Sequence, residues 1–403
     1  MKIIFYILLL FPAFCLGQAP GQLNDQISIG TKKTIYSNIL NEDREIWVYM
    51  PEAGRADSKT QYPVMYLLDG KDFFHFTTGI VSELSALGKM PKMIVVGIVN
   101  KDRGSDFTPT HSLLARDGTV DADFKNSGRG EKFTSFLQKE LIPFINSHYS
   151  TAPFRMFVGH SLGGLAVLNS LINHPSLFNA YVAIDPSLWW DNHLIMKQAQ
   201  NVLTQKDYAD KSLYFASSNT MEKGMDTVRV IIDTAYGNGN VRNNFQFREI
   251  LKKSKNLQWA WKFYPEDNHS SVPLISEYDA FRSIFKKYEM DKDISDTSIT
   301  VEYIKDHYHT VSAMLQYAVS PPQNIVNILG YIALGNKTYD KAYSFFKLNI
   351  DNYPASSNVY DSLGDFYVET NDQKKALEAF KKALSLMEVP ETRKKLEKLQ
   401  AKK

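Results

Sequence analysis

The chain has 403 residues, a formal net charge of +2 and 44% apolar residues. That length suits two domains, or one large domain with a small one, and the apolar share is ample for a sizeable core. The near-balanced charge, with no long basic run, argues against nucleic acid as the main partner.

In chain order, Met1–Gly17 reads first, as a secretory signal. Lys2 precedes the apolar run Ile3–Phe11, and small residues follow near Gly17. The run is too short to span a bilayer comfortably, so a secreted or periplasmic protein without a membrane span is expected. The single cysteine, Cys15, falls inside this segment, and the bulky Phe14 before it disfavours lipid attachment. The mature chain would then lack disulfides, thiol catalysis and cysteine metal sites.

Gln26–Ser37 and Arg44–Met50 are β-rich around a turn at Asn41-Glu42-Asp43 and read as an antiparallel pair. Strands then alternate with helical stretches: strand Pro63–Leu68, helix Thr77–Leu87, strand Met93–Val99 and helix Glu131–His148. Further strands are expected at Phe154–Val158, Ala180–Ile184, Ser212–Ala216 and Leu257–Phe263. Short apolar runs between helices signal an α/β domain with a mostly parallel sheet covered on both faces, spanning residues 24–290. The polar stretch Asn100–Gly130 follows a strand's C-terminal end, so it should hang over the mouth of the sheet.

After Pro321-Pro322 the pattern changes. Leu329-Gly330, Ala342 and Phe346 recur 34 positions later as Leu363-Gly364, Ala376 and Phe380. Pro354 closes the first unit, and Tyr360, Tyr367 and Ala383 fill large and small positions of the second. This resembles the tetratricopeptide repeat. Two units, 323–356 and 357–390, would form an all-α region within 300–403, with Phe346 and Phe380 filling the gap to the next unit. Two repeats fall short of the usual minimum, so Val301–Tyr317 should supply the missing face and 390–403 a charged capping helix.

The chemistry centres on Gly159-His160-Ser161-Leu162-Gly163. It fits G-x-S-x-G between a short apolar strand and a helix-competent segment, the setting of a nucleophile elbow. Glycines flank such a serine because the tight turn brings backbone close on both sides. A serine hydroxyl needs an adjacent base, and the base an orienting acid, which follow the serine in that order along the chain. His75, His111 and His148 precede Ser161, and His160 lies inside the elbow. His174 and His193 come too soon, and His307 and His309 lie beyond the sheet. His269 is left, in a polar loop just after the final strand.

The acid should follow Ser212–Ala216. Asp226, just past Gly224, is slightly preferred over Glu222, with Asp233, Glu266 and Asp267 as further alternatives. The oxyanion hole should use the backbone N–H of Leu162 and that of Lys71, or next Asp72, in the loop after Leu68. Arg103, Trp189 and Trp190 are candidate substrate contacts. The tryptophans would stack on an aromatic acyl group or sugar, or else pack on the core; Arg103 would clamp a carboxylate or catecholate, or else pair with Asp106. His307 and His309 would point apart on a helix, so no metal is assigned, and no cofactor.

The stretch 24–287 resembles the esterase D-like esterases of the α/β-hydrolase superfamily. The resemblance rests on Tyr66-Leu-Leu-Asp-Gly70, Val99-Asn-Lys-Asp-Arg103 followed by Asp106-Phe-Thr-Pro109, the elbow, Asp185-Pro-Ser-Leu-Trp-Trp-Asp191, and Asn268-His269 before Val272-Pro273. The Asn-x-x-Arg and Asp-x-Thr-Pro pieces look closest to the siderophore-esterase-like branch. The resemblance implies an α/β-hydrolase fold with Ser161 as nucleophile and His269 as base. It implies hydrolysis of small carboxylic esters, whether siderophore, feruloyl or acetyl-sugar. The rival reading is an interaction protein whose repeats recruit a partner while the larger domain serves as scaffold.

Overall fold

The computed structural model describes residues 27–51 and 60–401. The secretory segment Met1–Gly17 with Cys15 lies outside the described residues. Eight strands form one sheet: β1 (Thr31–Ser37), β2 (Glu42–Tyr49), β3 (Tyr62–Leu67), β4 (Ile94–Ile98), β5 (Thr151–His160), β6 (Ala180–Ile184), β7 (Ser212–Ser218) and β8 (Gln258–Tyr264). Their spatial order is β1-β2-β4-β3-β5-β6-β7-β8, with β1 and β2 antiparallel and the strands from β3 to β8 parallel.

Strand alternation divides the interior in two. On β3, Val64, Tyr66 and Leu68 face one core while Met65 and Leu67 face the other; on β4, Ile94, Val96 and Ile98 oppose Met93 and Val95. α1 (Gly70–Ala86) covers one face, while α2 (Arg103–Asp106) is a single turn at the sheet's mouth. The other face is covered by α3 (Gly130–Phe136), α4 (Ile142–His148), α5 (Leu162–Asn173), α6 (Trp190–Gln205) and α7 (Gly239–Leu251). α8 (Val272–Ile284) and α9 (Val301–Leu315) return to the α1 face.

α1 begins seven residues earlier than the apolar spacing predicts. The reason is tertiary. Asp69 turns the chain in a left-handed conformation, and Gly70 lies so close to β4 that a Cβ there would stand 2.7 Å from the Gly97 Cα. Only glycine tolerates that approach. Asn100–Gly130 is also less open than its composition suggests. It holds α2, a short 3-10 turn at Ala122–Phe124 and a bridge between Leu114 and Val120. Arg44, fully buried on β2, pins this segment by pairing with Asp106 at 2.7 Å beneath Phe133 and Phe136. The pairing of Arg103 with Asp106 is therefore replaced by Arg44 with Asp106.

Past α9 the chain continues as α10 (Gln323–Gly335), α11 (Tyr339–Asn352), α12 (Ser357–Glu369), α13 (Gln373–Leu386) and α14 (Pro390–Gln400). A Cβ on Gly330 would meet the Phe346 ring at 2.7 Å, and one on Gly364 would fall against Phe380. Each phenylalanine thus seats on the glycine of its own helix pair. Each also reaches the next unit, as expected: Phe346 lies 6.2 Å from Phe366, and Phe380 packs with Leu396 and Leu399 of α14. Gln316, the residue that ends α9, ties that helix to the sheet, donating to Asp210 O at 2.6 Å and accepting from Asn179. Asn179 and Asp210 precede β6 and β7, so the junction lies at the strands' N-terminal ends.

One carboxyl in the interface between α1 and α8 has no cation. Glu277 is fully buried, with Oε2 2.6 Å from Thr77 Oγ1, which also lies 2.9 Å from Phe73 O. The single Thr77 hydroxyl proton is donated to Glu277 Oε2, with Phe73 O as a competing acceptor. Burial pushes this carboxyl up to about 8, with the Thr77 bond opposing. Its folded value exceeds its unfolded one, so its contribution to stability is full below about pH 4.5 and is lost as pH rises through about 8. Thermal unfolding of Glu277→Gln should accordingly show a smaller fall in Tm between pH 6 and 9 than the parent chain, by at least about 2 °C. Equal falls would show that Glu277 is already ionised in the fold.

Candidate active site

Ser161 stands at the C-terminal end of β5, where the strand turns into α5. Its φ of 60° and ψ of −118° are outside the regions open to ordinary residues, a strain that its surroundings hold in place. A Cβ on Gly159 would come 2.5 Å from the Gly163 carbonyl oxygen, so the glycine before the serine is a steric necessity. The Ser161 N–H donates to Ile184 O, and its carbonyl accepts from Ser187 and Leu165, each at 3.0 Å. The bend is thereby fastened to the end of the neighbouring strand β6.

His269 lies in the loop between β8 and α8. Its Nε2 is 3.0 Å from Ser161 Oγ, and its Nδ1 is 2.6 Å from Asp185 Oδ2. With Asp185 ionised, Nδ1–H donates to the carboxylate and Nε2 is left to accept the serine proton. Asp185 follows β6 directly, in a left-handed conformation with φ of 40°, and is fully buried. It accepts from the Ser218 N–H at 3.1 Å, the Ser218 hydroxyl at 2.6 Å and Asn244 Nδ2 at 2.8 Å. Burial works against its charge, but the bonds from His269 and Ser218 outweigh it and hold the carboxyl below its ordinary value. These bonds explain the buried asparagine on α7 and the reach of β7 beyond Ala216.

The acid expected at Asp226 is therefore corrected to Asp185. Asp226 is exposed, and its carboxylate is pulled down to about 2 by hydrogen bonds from the backbone and side chain of Arg229. Glu222, the alternative, lies against Gly237 and shares the loop with Asp226, while Asp233 accepts from Asn238 and Ala235. Asp267 accepts from the Ser271 hydroxyl. A carboxylate directly after a fully buried strand was the available signal, one strand earlier than the common order suggests.

The two helix N-termini open side by side. β3 and β5 are neighbours, Leu68 N–H donates to Val158 O at 2.9 Å, and α1 and α5 start just beyond. Leu162 and Lys71 are residues of those first turns, whose N–H groups have no acceptor within the helix. The Lys71 side chain itself is exposed. His160 is buried against His269, with ring centroids 4.5 Å apart. Burial and the neighbouring imidazole push it down to about 3, so it stays neutral beside His269. Ser187 Oγ lies 3.3 Å from Ser161 Oγ, a second hydroxyl that the sequence reading did not name.

The substrate candidates separate. Trp190 is buried, donates to Thr110 O at 3.3 Å and packs edge-on against Phe124, so its place in the core replaces the expected stacking surface. Trp189 is half-buried and lines a cavity of about 170 Å³ with Arg116, His193, Tyr236 and Arg242. Asp191, Asn192 and His193 form one wall in three successive left-handed conformations, anchored by Thr110 on Asp191 at 2.6 Å. Arg103 is partly exposed and pairs with Asp69 at 2.6 Å. Among the described residues no cluster suited to a metal ion is present, and no helix is long and apolar enough to cross a membrane.

This site and sheet order are those of an ester-cleaving α/β hydrolase. The family model Esterase, described as "Putative esterase", matches residues 37–286, and the chain belongs to that family. It is a carboxylic ester hydrolase. It is 30% identical over 264 residues to the ferri-bacillibactin esterase BesA of Bacillus subtilis, covering 61% of this chain and 86% of that one. It is also similar to an IroE-like serine hydrolase from Shewanella oneidensis, with 31% identity, a TM-score of 0.68, and coverage of 79% of this chain and 98% of the other. The siderophore hydrolase EstB from Aspergillus nidulans shares the fold at 21% identity and a TM-score of 0.53, over 64% of this chain and 96% of that one.

The geometry distinguishes the two acids by rate. Asp185→Asn should lower kcat for p-nitrophenyl acetate by on the order of 10³ to 10⁴, while Asp226→Asn should leave it within about threefold. A large loss in Asp226→Asn with a small one in Asp185→Asn would reverse the assignment.

Proposed function

We propose that the chain hydrolyses its esters through an acyl-enzyme on Ser161. The reading rests on one continuous chain of contacts, Asp185 to His269 to Ser161, at 2.6 and 3.0 Å. His269 Nε2 removes the hydroxyl proton as Ser161 Oγ attacks the ester carbonyl carbon. The N–H groups at the starts of α5 and α1, with Leu162 and Lys71 as donors, receive the charge that develops on the carbonyl oxygen. The carbon–oxygen bond to the alcohol then breaks, and the alcohol leaves with the proton from His269. Water attacks the acyl-serine, giving its proton to His269. Collapse returns that proton to Ser161 and releases the carboxylic acid. Asp185 stays ionised throughout and favours the imidazolium formed in both halves.

The substrate class we favour is an ester of an aromatic, metal-chelating acid, as in siderophores. Two observations support it: relatives named for siderophore and ferri-bacillibactin ester cleavage, and the cationic, aromatic cavity of Trp189, Tyr236, Arg116 and Arg242. Guanidinium groups suit catecholate oxygens, and the indole suits their rings. Met1–Gly17 would act as a secretory leader, placing the enzyme outside the cytoplasm. The paired helices α10/α11 and α12/α13 would be tetratricopeptide-type units. The preceding helix α9 is tied through Gln316 at the strands' N-terminal ends, which favours a brace, remote from the catalytic face, over a lid.

The test is a substrate panel with Ser161→Ala as control. The parent chain should turn over a tris-catecholate trilactone with a kcat/KM at least about tenfold above feruloyl and acetyl-sugar esters. Ser161→Ala should lose about 10⁶ in kcat on every ester cleaved. Preference for an acetyl sugar would overturn the substrate class, and an active Ser161→Ala would overturn the mechanism.

A further inference from the structure

Three loops meet at the catalytic face, and one carboxylate joins them. Asp69 lies two residues past β3 and caps α1, whose first turn carries Lys71; its side chain is buried. Oδ1 accepts from Arg103 Nε at 2.6 Å and from Asn100 Nδ2, both on the loop after β4. Oδ2 accepts from Arg103 Nη2 at 3.2 Å, and the same Nη2 lies 3.4 Å from His160 O, in the elbow. A Cβ on Gly163, just past the serine, would stand 3.2 Å from Asp69 Oδ2. The Asp69 carbonyl accepts from Asp72 and Phe73, closing the first turn of α1.

The backbone at Asp69 makes the choice of residue informative. Its φ of 55° is a left-handed conformation that glycine adopts freely and a side chain resists. Asp69 is the residue before Gly70, so a glycine there would serve the turn alone. An aspartate at that position points to a role for the carboxylate. Burial pushes the carboxyl up, and the Arg103 guanidinium pulls it back. Its contacts stay clear of His269, and it does not touch the reacting atoms.

We infer that Asp69 is a positioning residue for ester hydrolysis: clamped by Arg103, it fixes the N–H groups that follow it relative to those that follow Ser161, so that the two halves of the oxyanion site converge. The inference rests on the serine-ester reading above. Removal of the carboxylate leaves Ser161, His269 and Asp185 in place and lets the two N-termini drift. The loss should therefore fall on the tetrahedral state more than on ground-state binding. Arg103 has its role through the same clamp, which accounts for a guanidinium held at the mouth of the site.

The experiment compares Asp69→Asn, Asp69→Gly and Arg103→Met with the parent chain and Ser161→Ala, using p-nitrophenyl esters. Rates are normalised to sites titrated with a fluorophosphonate. Asp69→Gly keeps the left-handed turn without strain, so it separates the backbone from the carboxylate. The expected result is a loss of about 10² to 10³ in kcat per titrated site for Asp69→Gly, a smaller loss for Asp69→Asn, and KM within about threefold for both. Affinity for a trifluoromethyl ketone, which forms a tetrahedral adduct on serine, should weaken in parallel with kcat/KM. The double variant Asp69→Asn/Arg103→Met should be no worse than Arg103→Met alone, because the two act as one unit. The inference is overturned if kcat per titrated site stays within threefold of the parent, or if KM alone changes while ketone affinity holds. Retained turnover in Ser161→Ala would instead sink the serine reading on which it rests.

Discussion

The site depends on a single strained bend. Ser161 is held at a positive φ because Gly159 and Gly163 leave room for the turn and because the ends of β5 and β6 are bonded across it. The same pairing brings Ile184 O to the Ser161 N–H and places Asp185, the next residue, one strand away from Ser161. The bend therefore sets both where the hydroxyl stands and where its distant acid can reach the imidazole. His269 only has to span the gap from the loop after β8.

Asp185 shows how the fold sustains a buried charge. An isolated carboxylate in an apolar interior is costly; this one accepts from His269, twice from Ser218 and from Asn244. Those donors come from three separate elements. Asp185 is consequently anchored to the sheet on several sides, and the imidazole is held through it. His160, buried and neutral, closes the other side of the ring without adding a competing charge.

Much of this was legible in the chain. Short continuous apolar runs between helical stretches gave the parallel strands, and Ala180–Ile184 coincides with β6. Order along the chain singled out His269, whose Nε2 meets Ser161 Oγ. The acid was misread, because which strand end faces the histidine is a property of the folded sheet. Asp185 directly follows its strand whereas Asp226 lies well past the end of β7, and burial and the donors on α7 and β7 set Asp185 apart. Trp190 was ambiguous for a related reason: a tryptophan after a strand can face solvent or core, and Phe124 on a distant loop decides it. The early start of α1 depends on Gly70 meeting Gly97, a contact invisible to local periodicity.

Two hydroxyls sit 3.3 Å apart at the centre of the site, Ser161 and Ser187, and only the first lies within reach of His269. Intact-mass and peptide mass spectrometry after fluorophosphonate treatment reads directly which oxygen is activated. The account predicts one phosphonyl group per chain, on the peptide containing Ser161, with fluoride released. A label on Ser187, or none on a correctly folded chain, would contradict it.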